Sequence, residues 1–159
     1  ESVLGDVFDL SPRGIRNHNP GNLNRSCWHG SRTRRIDGFA VFGSDEEGLL
    51  NLAACIGQFY FDHRLNTVAS FVSRYAPASE NDLMSYELFI ASWMNFRRDE
   101  IASRDLSLQA IPQAAWLLLG IVRIECGVPP AALKRGHEWF SNAQAMRAVS
   151  LSGYWGAPS

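Results

Sequence analysis

The chain has 159 residues, 46% of them hydrophobic and 11% aromatic, and its formal net charge is −1 at pH 7. This length and composition suit a single domain over residues 1–159 with a hydrophobic core. A near-neutral charge gives no long-range attraction to nucleic acid or to an anionic membrane, so neither is an expected partner. The longest apolar run, residues 114–122, is too short to span a bilayer. No signal peptide is predicted, since no basic region precedes an apolar stretch at the start.

Residues 11–43 are rich in Gly, Asn, Arg and Ser and carry few helical signals. Within them, residues 17–22 read Asn-His-Asn-Pro-Gly-Asn, a density of turn formers that predicts a structured loop. The run 38–42, Gly-Phe-Ala-Val-Phe, predicts a strand that is closed by Gly43. We therefore expect irregular backbone here with at most a small sheet.

Helical patterns dominate the chain after residue 43. Ser44 and Glu47 form a capping box before apolar residues at helical spacing, which predicts a helix over residues 45–62. The apolar spacing from Leu65 predicts a second helix that ends before Pro77. Ser79 is the predicted cap of a third helix. Its apolar stripe consists of Leu83, Tyr86, Ile90, Trp93 and Met94.

A more polar connection, residues 95–107, precedes the fourth predicted helix. That helix has Pro112 near its first turn and runs to about Cys126, where Gly127 stops it. Residues 137–151 predict a last, weaker helix. The predicted fold class is therefore α+β, mostly α, with a small N-terminal β/loop region.

The apolar stripe of the fourth helix continues into Glu125, three residues past Val122. Burial and the partial negative charge of a helix C-terminus both favour the protonated form of such a carboxyl group. A glycosidase needs a protonated carboxylic acid to deliver a proton to the leaving sugar oxygen. The alternative is a Glu125 side chain that reaches solvent or pairs with Arg123 or Arg135.

Other acidic residues have simpler interpretations. Glu46 and Glu47 lie in the first turn of a helix, where they serve capping and dipole roles. Asp37, Glu80 and Asp82 are each either a cap or a site residue in a cleft. Solvated surface positions are predicted for Asp45, Asp62, Asp99, Glu100 and Asp105.

Cysteines and histidines give no metal or redox pattern. Cys27, Cys55 and Cys126 are spaced like neither a zinc site nor a CxxC pair, so buried or idle thiols are expected. One disulfide plus a free thiol is the alternative for a protein that works outside the cytoplasm. No HxxxH spacing joins the histidines, and no metal or other cofactor is predicted. The histidines are His18, His29, His63 and His137.

Residues 13–23, Arg-Gly-Ile-Arg-Asn-His-Asn-Pro-Gly-Asn-Leu, resemble the opening motif RGIRNNNPGNI of a family of phage virion and prophage proteins. Members are known as structural proteins or as lysozyme-like peptidoglycan hydrolases. Further matches follow in the family's order at Trp28, Gly30, Asp37, Phe39, Phe42, 48–49, 65–68, 75–77, 80–82 and Tyr86. A final family motif, RHENG followed by Pro, aligns with residues 123–127 and Pro129. The family His and Asn are Ile124 and Cys126 here, whereas the Glu and Gly are kept.

The resemblance implies a peptidoglycan-cleaving glycosidase, either a muramidase or a lytic transglycosylase, with Glu125 as its general acid. Lysozyme-like enzymes carry this acid at a helix end that precedes a small β region, and here that order is reversed. Our hypothesis is a circularly permuted lysozyme-like fold, with a core over residues 13–130 and an extension over 131–159 packed on it. It requires Glu125 to lie near residues 17–42.

If Glu125 is the general acid, the N-terminal loop and strand should form the floor of its cleft. Glu80, followed by Asp37 or Asp82, is the candidate second carboxylate, acting as a base or stabilising an oxocarbenium-like state, although a transglycosylase needs only one catalytic carboxyl. The candidate sugar contacts, whose amide groups or aromatic faces suit sugars, are Asn17, Asn19, Asn22, Trp28, Tyr75 and Asn81. Loop architecture is the alternative role for the asparagines of residues 17–22. The extension over residues 131–159 is expected to pack on the domain through its aromatic residues and Arg135. The aromatic residues are Trp139, Phe140, Tyr154 and Trp155.

The expected partners are peptidoglycan glycan strands, together with a virion or secretion apparatus or an immunity protein. The expected location is a phage virion or, after secretion or delivery, the bacterial periplasm. One alternative is a non-catalytic wall-binding or virion structural module, in which Glu125 is exposed or salt-bridged and no open groove passes it. Another is an amidase or peptidase that uses Cys27 with His18 or His29. A toxin domain delivered by a secretion system is compatible with the glycosidase chemistry.

Overall fold

The computed structural model describes residues 12–28, 34–76 and 82–155. Their architecture is α+β and mostly helical, as predicted, with one small antiparallel sheet near the N-terminus. The strands are β1 (Arg34–Ile36) and β2 (Phe39–Val41). The α-helices of these residues are α1 (Arg13–Arg16), α2 (Asp45–Gly57), α3 (Val68–Tyr75), α4 (Leu83–Trp93), α5 (Ile111–Cys126), α6 (Pro130–Lys134) and α7 (Asn142–Leu151).

The small sheet is a two-stranded hairpin, and its second strand, β2, confirms the strand predicted over residues 38–42. β1 and β2 pair with Ile36 opposite Phe39, so Asp37 and Gly38 alone form the connection. Both turn residues have positive φ, 52° and 83°. Asp-Gly suits such a two-residue turn because glycine, and to a lesser degree aspartate, tolerates this backbone region. The Asp-Gly pair at residues 37–38 was the signal for the turn, and the partner strand β1 was not predicted.

Helix α2 starts where it was predicted to start, but the last part of the predicted range is not α-helical. Ser44 Oγ accepts a hydrogen bond from the Glu47 amide at 3.1 Å, the predicted cap. After Gly57 the chain continues as a π-helical turn, Gln58–Asp62, closed by the His63 amide on the Gln58 carbonyl at 3.1 Å. The wider turn leaves Tyr60 buried with its hydroxyl donating to Asp105 at 2.6 Å.

The next two helices begin at side-chain caps that differ from the predicted ones. Thr67 and Ser70 cap each other's backbone amides, so α3 begins at Val68 rather than near Leu65. Asp82 caps α4 by accepting from the Ser85 amide at 3.3 Å. The Ser85 hydroxyl is the main cause that lowers the pKa of Asp82, which is exposed. Asp82 is therefore a helix cap and not a cleft carboxylate; the predicted cap, Ser79, lies outside the described residues.

Helix α5 is the central helix of the fold. It contacts α1, α2, α4 and α7, and Leu117, Leu118 and Ile121 on it are fully buried. Pro112 occupies its first turn, and Gly127 ends it with φ of 69°. The prediction of this helix and of both its boundaries is confirmed. Because α5 packs against four other helices, the position of the residues in its last turn, which include Glu125, is fixed.

Two tryptophans join α4 to α5 through ring stacking and hydrogen bonds. The rings of Trp93 and Trp116 stack with centroids 4.5 Å apart. Each indole N–H donates to the other residue's backbone carbonyl, at 2.6 and 2.7 Å. Gly120 makes room for the Trp93 ring, since a Cβ there would lie 2.6 Å from it. The two helices are thus fixed in register along their length.

The C-terminal segment packs on α2 and α5 through α7. Ser141 caps α7 and the helix starts at Asn142, five residues later than predicted, after the unpredicted short helix α6. Trp155 is buried and its indole N–H donates to the Leu108 carbonyl at 2.5 Å. None of the helices in the described part of the chain combines the length and apolarity needed to cross a bilayer.

Candidate functional site

The last turn of α5 places Glu125 against the N-terminal loop, as the permuted-fold hypothesis requires. The Asn22 side-chain amide donates to Glu125 Oε1 at 3.1 Å and to the Glu125 backbone carbonyl at 3.3 Å. Asn22 has φ of 51°, a conformation that asparagine tolerates better than most residues. The carboxyl group is half-buried. A residue at the chain's opening motif thus positions a carboxyl more than a hundred residues away.

Close packing of α1 on α5 makes this contact possible. Gly14 is buried, and a Cβ at this position would lie 2.2 Å from Cys126 Sγ and 2.9 Å from Asn22 Oδ1. The Cys126 thiol donates to the Pro20 carbonyl at 3.3 Å. Burial, and then the Glu125 charge, raise the pKa of Cys126 to about 12. This protonated thiol is a packing group rather than a nucleophile.

Tyr86 of α4 supplies the second hydrogen bond to the carboxyl group. Its hydroxyl donates to Glu125 Oε2 at 2.7 Å, and the side chain is buried. Burial, and then the charge of Glu125, raise the pKa of Tyr86 well above its ordinary value of 10. Tyr86 therefore remains a hydrogen-bond donor throughout the physiological pH range.

Tyr75, at the end of α3, borders the same cluster. Its hydroxyl donates to the Gly21 carbonyl at 2.5 Å. Burial, and then the charge of Glu125, raise the pKa of Tyr75 well above its usual value. Gly21 lets the ring approach the loop, because a Cβ there would lie 2.5 Å from the Tyr75 hydroxyl oxygen. Helices α3 and α4 thus both direct a tyrosine hydroxyl to the region where the N-terminal loop meets α5.

A cleft of about 550 Å³ opens beside this cluster. Asn22 and Tyr75 belong to its wall as well as to the surroundings of Glu125. The volume falls within the range of sites for small ligands. The described lining residues are Asn22, Leu23, Asn24, Arg25, Asp37, Gly38, Phe39, Cys55, Phe59, Arg74 and Tyr75. A ligand in the cleft would contact two residues of the Glu125 cluster.

Two donors orient the Glu125 carboxyl group. Oε1 accepts a hydrogen bond from Asn22 and Oε2 accepts one from Tyr86, and these bonds fix the plane of the group. Glu125 itself is not among the described residues that line the cleft. Its carboxyl group therefore adjoins the cleft through Asn22 and Tyr75.

Only some of the predicted sugar contacts reach the cleft. Asn22 and Tyr75 do. Asn19 is fully buried and holds the loop through Leu23 and Ala40. Asn17 is buried with its backbone carbonyl accepting from the Phe42 amide. These two asparagines therefore support the loop and are not among the described residues that line the cleft.

The other predicted residues have separate positions. Trp28 lines a different groove, between α2 and α7, rather than this cleft. Asp37 lies in the hairpin turn on the cleft wall. Glu80 and Asn81 lie outside the described residues. Asp37 is thus the predicted second carboxylate that the described structure brings to the cleft.

Sequence reasoning missed several residues of the site. Tyr86 was predicted as part of an apolar stripe and as a match to the family pattern but not as a partner of Glu125, although a buried tyrosine hydroxyl generally needs a partner. Arg25 and Arg74 were not singled out at all, and no local pattern marks them. Arg123, a predicted alternative partner of Glu125, instead pairs with Glu138 at 2.6 Å.

Cys27 and Cys55 form a disulfide with Cα atoms 5.1 Å apart, and Cys126 is the free cysteine. The expectation of idle thiols is therefore wrong for two of the three, and the alternative of one disulfide is correct. A sulfur engaged in a disulfide is not a nucleophile, which removes Cys27 as the catalytic residue of an amidase or peptidase. His18, its proposed partner, is paired with Asp45 at 2.7 Å, and His29 lies outside the described residues. Within the described ranges, no group of three His, Cys, Asp or Glu side chains is placed to hold a metal ion.

Comparisons with known proteins give one informative similarity. No family model matches the chain. Protein P5 of Pseudoalteromonas phage PM2 is 25% identical over 136 residues, an alignment that covers 80% of this chain and 81% of the phage protein. The chain is thus similar to a phage protein over most of both lengths.

Proposed function

We propose that this protein is a peptidoglycan-cleaving glycosidase, a muramidase or lytic transglycosylase, with Glu125 as its general acid. One observation carries the proposal: the Glu125 carboxyl is held by Asn22 and Tyr86 beside a cleft large enough for sugar residues. Asn22 and Tyr75 belong both to the cleft wall and to the surroundings of the carboxyl. The proposal requires the scissile glycosidic oxygen to reach Glu125 at the part of the cleft formed by these two residues.

In the proposed reaction, Glu125 donates its proton to the leaving sugar oxygen as the bond to the anomeric carbon breaks. An oxocarbenium-like state then develops, and a second carboxylate can stabilise it or activate water. Asp37, which lines the cleft, is the described candidate for this role, and Glu80 is the other. In a transglycosylase no water is needed, because a hydroxyl oxygen of the same sugar bonds to the anomeric carbon while Glu125 takes back the proton of that hydroxyl.

The contact between the end of α5 and the N-terminal loop supports the lysozyme-like architecture within this proposal. In that architecture an acid at a helix end faces a small sheet across the cleft. Here Glu125 ends α5, while the turn of the β1–β2 hairpin lies on the cleft wall. The sheet precedes the helix in the chain, so the proposed fold is a circular permutation of that arrangement.

The proposed setting is a phage virion or delivery into the bacterial periplasm. The similarity to a protein of phage PM2 is compatible with virion association. The Cys27–Cys55 disulfide fits a protein that works in an oxidising compartment, such as the periplasm. A virion or secretion apparatus, or an immunity protein, would then be the partner besides the glycan strands.

The direct test compares the protein with its Glu125→Gln variant on purified peptidoglycan, with soluble products identified by mass spectrometry. Loss of a general acid lowers the rate by about 10²–10⁴-fold. Glu138→Gln is the matched control, since this exposed residue makes the same chemical change away from the cleft. Hydrated product ends would identify a hydrolase and anhydro ends a transglycosylase. Full muropeptide release by Glu125→Gln would remove Glu125 from the mechanism.

A non-catalytic wall-binding or virion structural module is the second candidate. The observation that favours it is the hydrogen bond accepted by each oxygen of Glu125, since such donors stabilise a charged, structural carboxylate. The cleft beside Glu125 argues against it. Retained binding to peptidoglycan with no release by the unmodified protein would establish this second function.

A further inference from the structure

Two arginines in the cleft are free to bind an anion. Arg25, in the loop after α1, and Arg74, on α3, both line the cleft and are exposed. Within residues 12–28, 34–76 and 82–155, neither guanidinium lies within 4.0 Å of a carboxylate. Asp37 is the described acidic residue of the lining, so the described wall carries a net positive charge.

One of these arginines is hydrogen-bonded to a neighbouring side chain, and the other lies near an aromatic ring. The Arg25 guanidinium donates to Gln58 Oε1 at 2.6 Å, in the π-helical turn. The Arg74 guanidinium lies 6.0 Å from the centre of the Phe59 ring, which is also part of the lining. Arg25 and Arg74 come from different elements, so they can approach one bound group from two sides. A positioned guanidinium loses less side-chain entropy when it binds a ligand than a freely rotating one.

We infer that Arg25 and Arg74 make the cleft bind a glycan that carries carboxylate groups more tightly than a neutral glycan. A peptide-substituted glycan strand has this chemistry. This inference rests on the proposed function and specifies its substrate. Guanidinium groups bind carboxylates through paired, charge-assisted hydrogen bonds, and these are stronger than bonds between neutral groups. Asn22 and Tyr75, on the same wall, would meanwhile contact the sugar next to Glu125.

The test measures binding rather than cleavage. The protein is the Glu125→Gln variant, which prevents turnover. Titration calorimetry would compare its affinity for a disaccharide-tetrapeptide with its affinity for the same molecule after the carboxylates are converted to carboxamides. The expected result is roughly ten-fold tighter binding of the carboxylate form, decreasing as salt is added. Arg25→Gln and Arg74→Gln should each weaken binding of that form and leave binding of the carboxamide form unchanged. Arg98→Gln is the matched control, because Arg98 is exposed and absent from the described lining of this cleft.

Equal affinity for the two ligands, or equal losses for both in the arginine variants, would overturn the inference. The inference would also be overturned if millimolar inorganic phosphate displaced the carboxylate and carboxamide ligands equally. That result would indicate a phosphate site. These outcomes are separable from failure of the proposed function. If the carboxylate form is preferred but the unmodified protein releases no muropeptides, the inference stands and the enzyme activity does not.

Discussion

The Glu125 carboxyl group owes its orientation to residues from two separate parts of the chain. Asn22 comes from the N-terminal loop and Tyr86 from α4, and each binds a different oxygen. Because Tyr86 is buried, loss of its hydroxyl would leave Glu125 Oε2 without this donor and without direct replacement by bulk water. The geometry of one carboxyl thus depends on the packing of three elements.

Replacing Tyr86 by phenylalanine tests this dependence. We expect Tyr86→Phe to lower the free energy of unfolding by about 1–3 kcal/mol, the usual effect of losing a hydrogen bond to a charged group. The variant should also shift the alkaline limb of the pH–rate profile, where a general acid loses its proton, to higher pH. The reason is that the charged carboxylate has lost a donor. A structural role alone would not move this limb.

Tyr154→Phe is the matched control for that experiment. The Tyr154 hydroxyl also donates to a carboxylate, Asp62 Oδ2 at 3.1 Å, but this pair is exposed. Its removal should change stability by less than about 1 kcal/mol and leave the pH profile unchanged. Identical pH profiles for Tyr86→Phe and the unmodified protein would contradict the positioning role of Tyr86.

At the scale of single residues, sequence reasoning singled out Glu125 as a candidate but did not predict which residues bind its carboxyl group. Glu125 stood out because a carboxyl ends an apolar stripe. The asparagines of the opening motif were indistinguishable in sequence, yet Asn19 is fully buried in loop hydrogen bonds and Asn22 faces the cleft. Which asparagine reaches a ligand depends on the course of the loop, and no spacing rule encodes that course.

At the scale of elements, the disulfide joins the N-terminal loop to α2. Cys27 and Cys55 are 28 residues apart in sequence, and the loop they close includes the β-hairpin. Closing a loop of this length stabilises a protein by about 3 kcal/mol, largely by restricting the unfolded chain. The segment that carries Arg25 is therefore tied directly to the helix whose π-helical continuation holds it.

Urea unfolding with and without a reductant measures this contribution. We expect the reductant to lower the free energy of unfolding by about 3 kcal/mol. The Cys27→Ala/Cys55→Ala double variant should start from the lower value and show no response to the reductant. Cys126 is present in both proteins, so any effect of its thiol cancels. Equal stability of the oxidised and reduced protein would contradict a stabilising disulfide.

Long elements were predictable, whereas short ones were not. Helix α5 has an unbroken apolar pattern with Pro112 and Gly127 as boundaries, and its bounds were predicted correctly. The β1–β2 hairpin has three-residue strands, and exposed Arg34, Arg35 and Ile36 on β1 show no apolar alternation. The π-helical turn depends on the packing of its aromatic side chains in the folded protein. Such features arise from tertiary contacts that a local pattern does not contain.

At the scale of the whole molecule, buried groups with raised pKa values link stability to alkaline pH, and Cys126 and Tyr60 are two of them. The pKa of Cys126 is raised to about 12, mainly by burial and then by the Glu125 charge. The pKa of Tyr60 is also raised to about 12, by burial and then by its bond to Asp105. In the unfolded chain these groups lose their protons near 9 and 10. Deprotonation therefore favours the unfolded state as pH rises.

We expect the free energy of unfolding to be unaffected by these groups below about pH 9 and to fall between about pH 9 and 12. Urea titrations at pH 8, 9.5 and 11 would measure the decline. Cys126→Ala should reduce the slope from pH 9 upward, and Tyr60→Phe should reduce it from pH 10 upward. Slopes that match the unmodified protein in both variants would show that other groups control alkaline unfolding.

The central position of α5 affects which parts of the sequence can change during evolution without moving the candidate acid. Amide hydrogens of the buried α5 turn around Leu118 should exchange only through global unfolding, whereas those of the hairpin turn and of the loop near Arg25 should exchange through local opening. The candidate acid is therefore carried by the helix whose centre is expected to open most slowly, while Arg25 and Asp37 of the cleft wall are carried by segments expected to open faster. Substitutions in those segments can alter ligand preference while the acid stays in place.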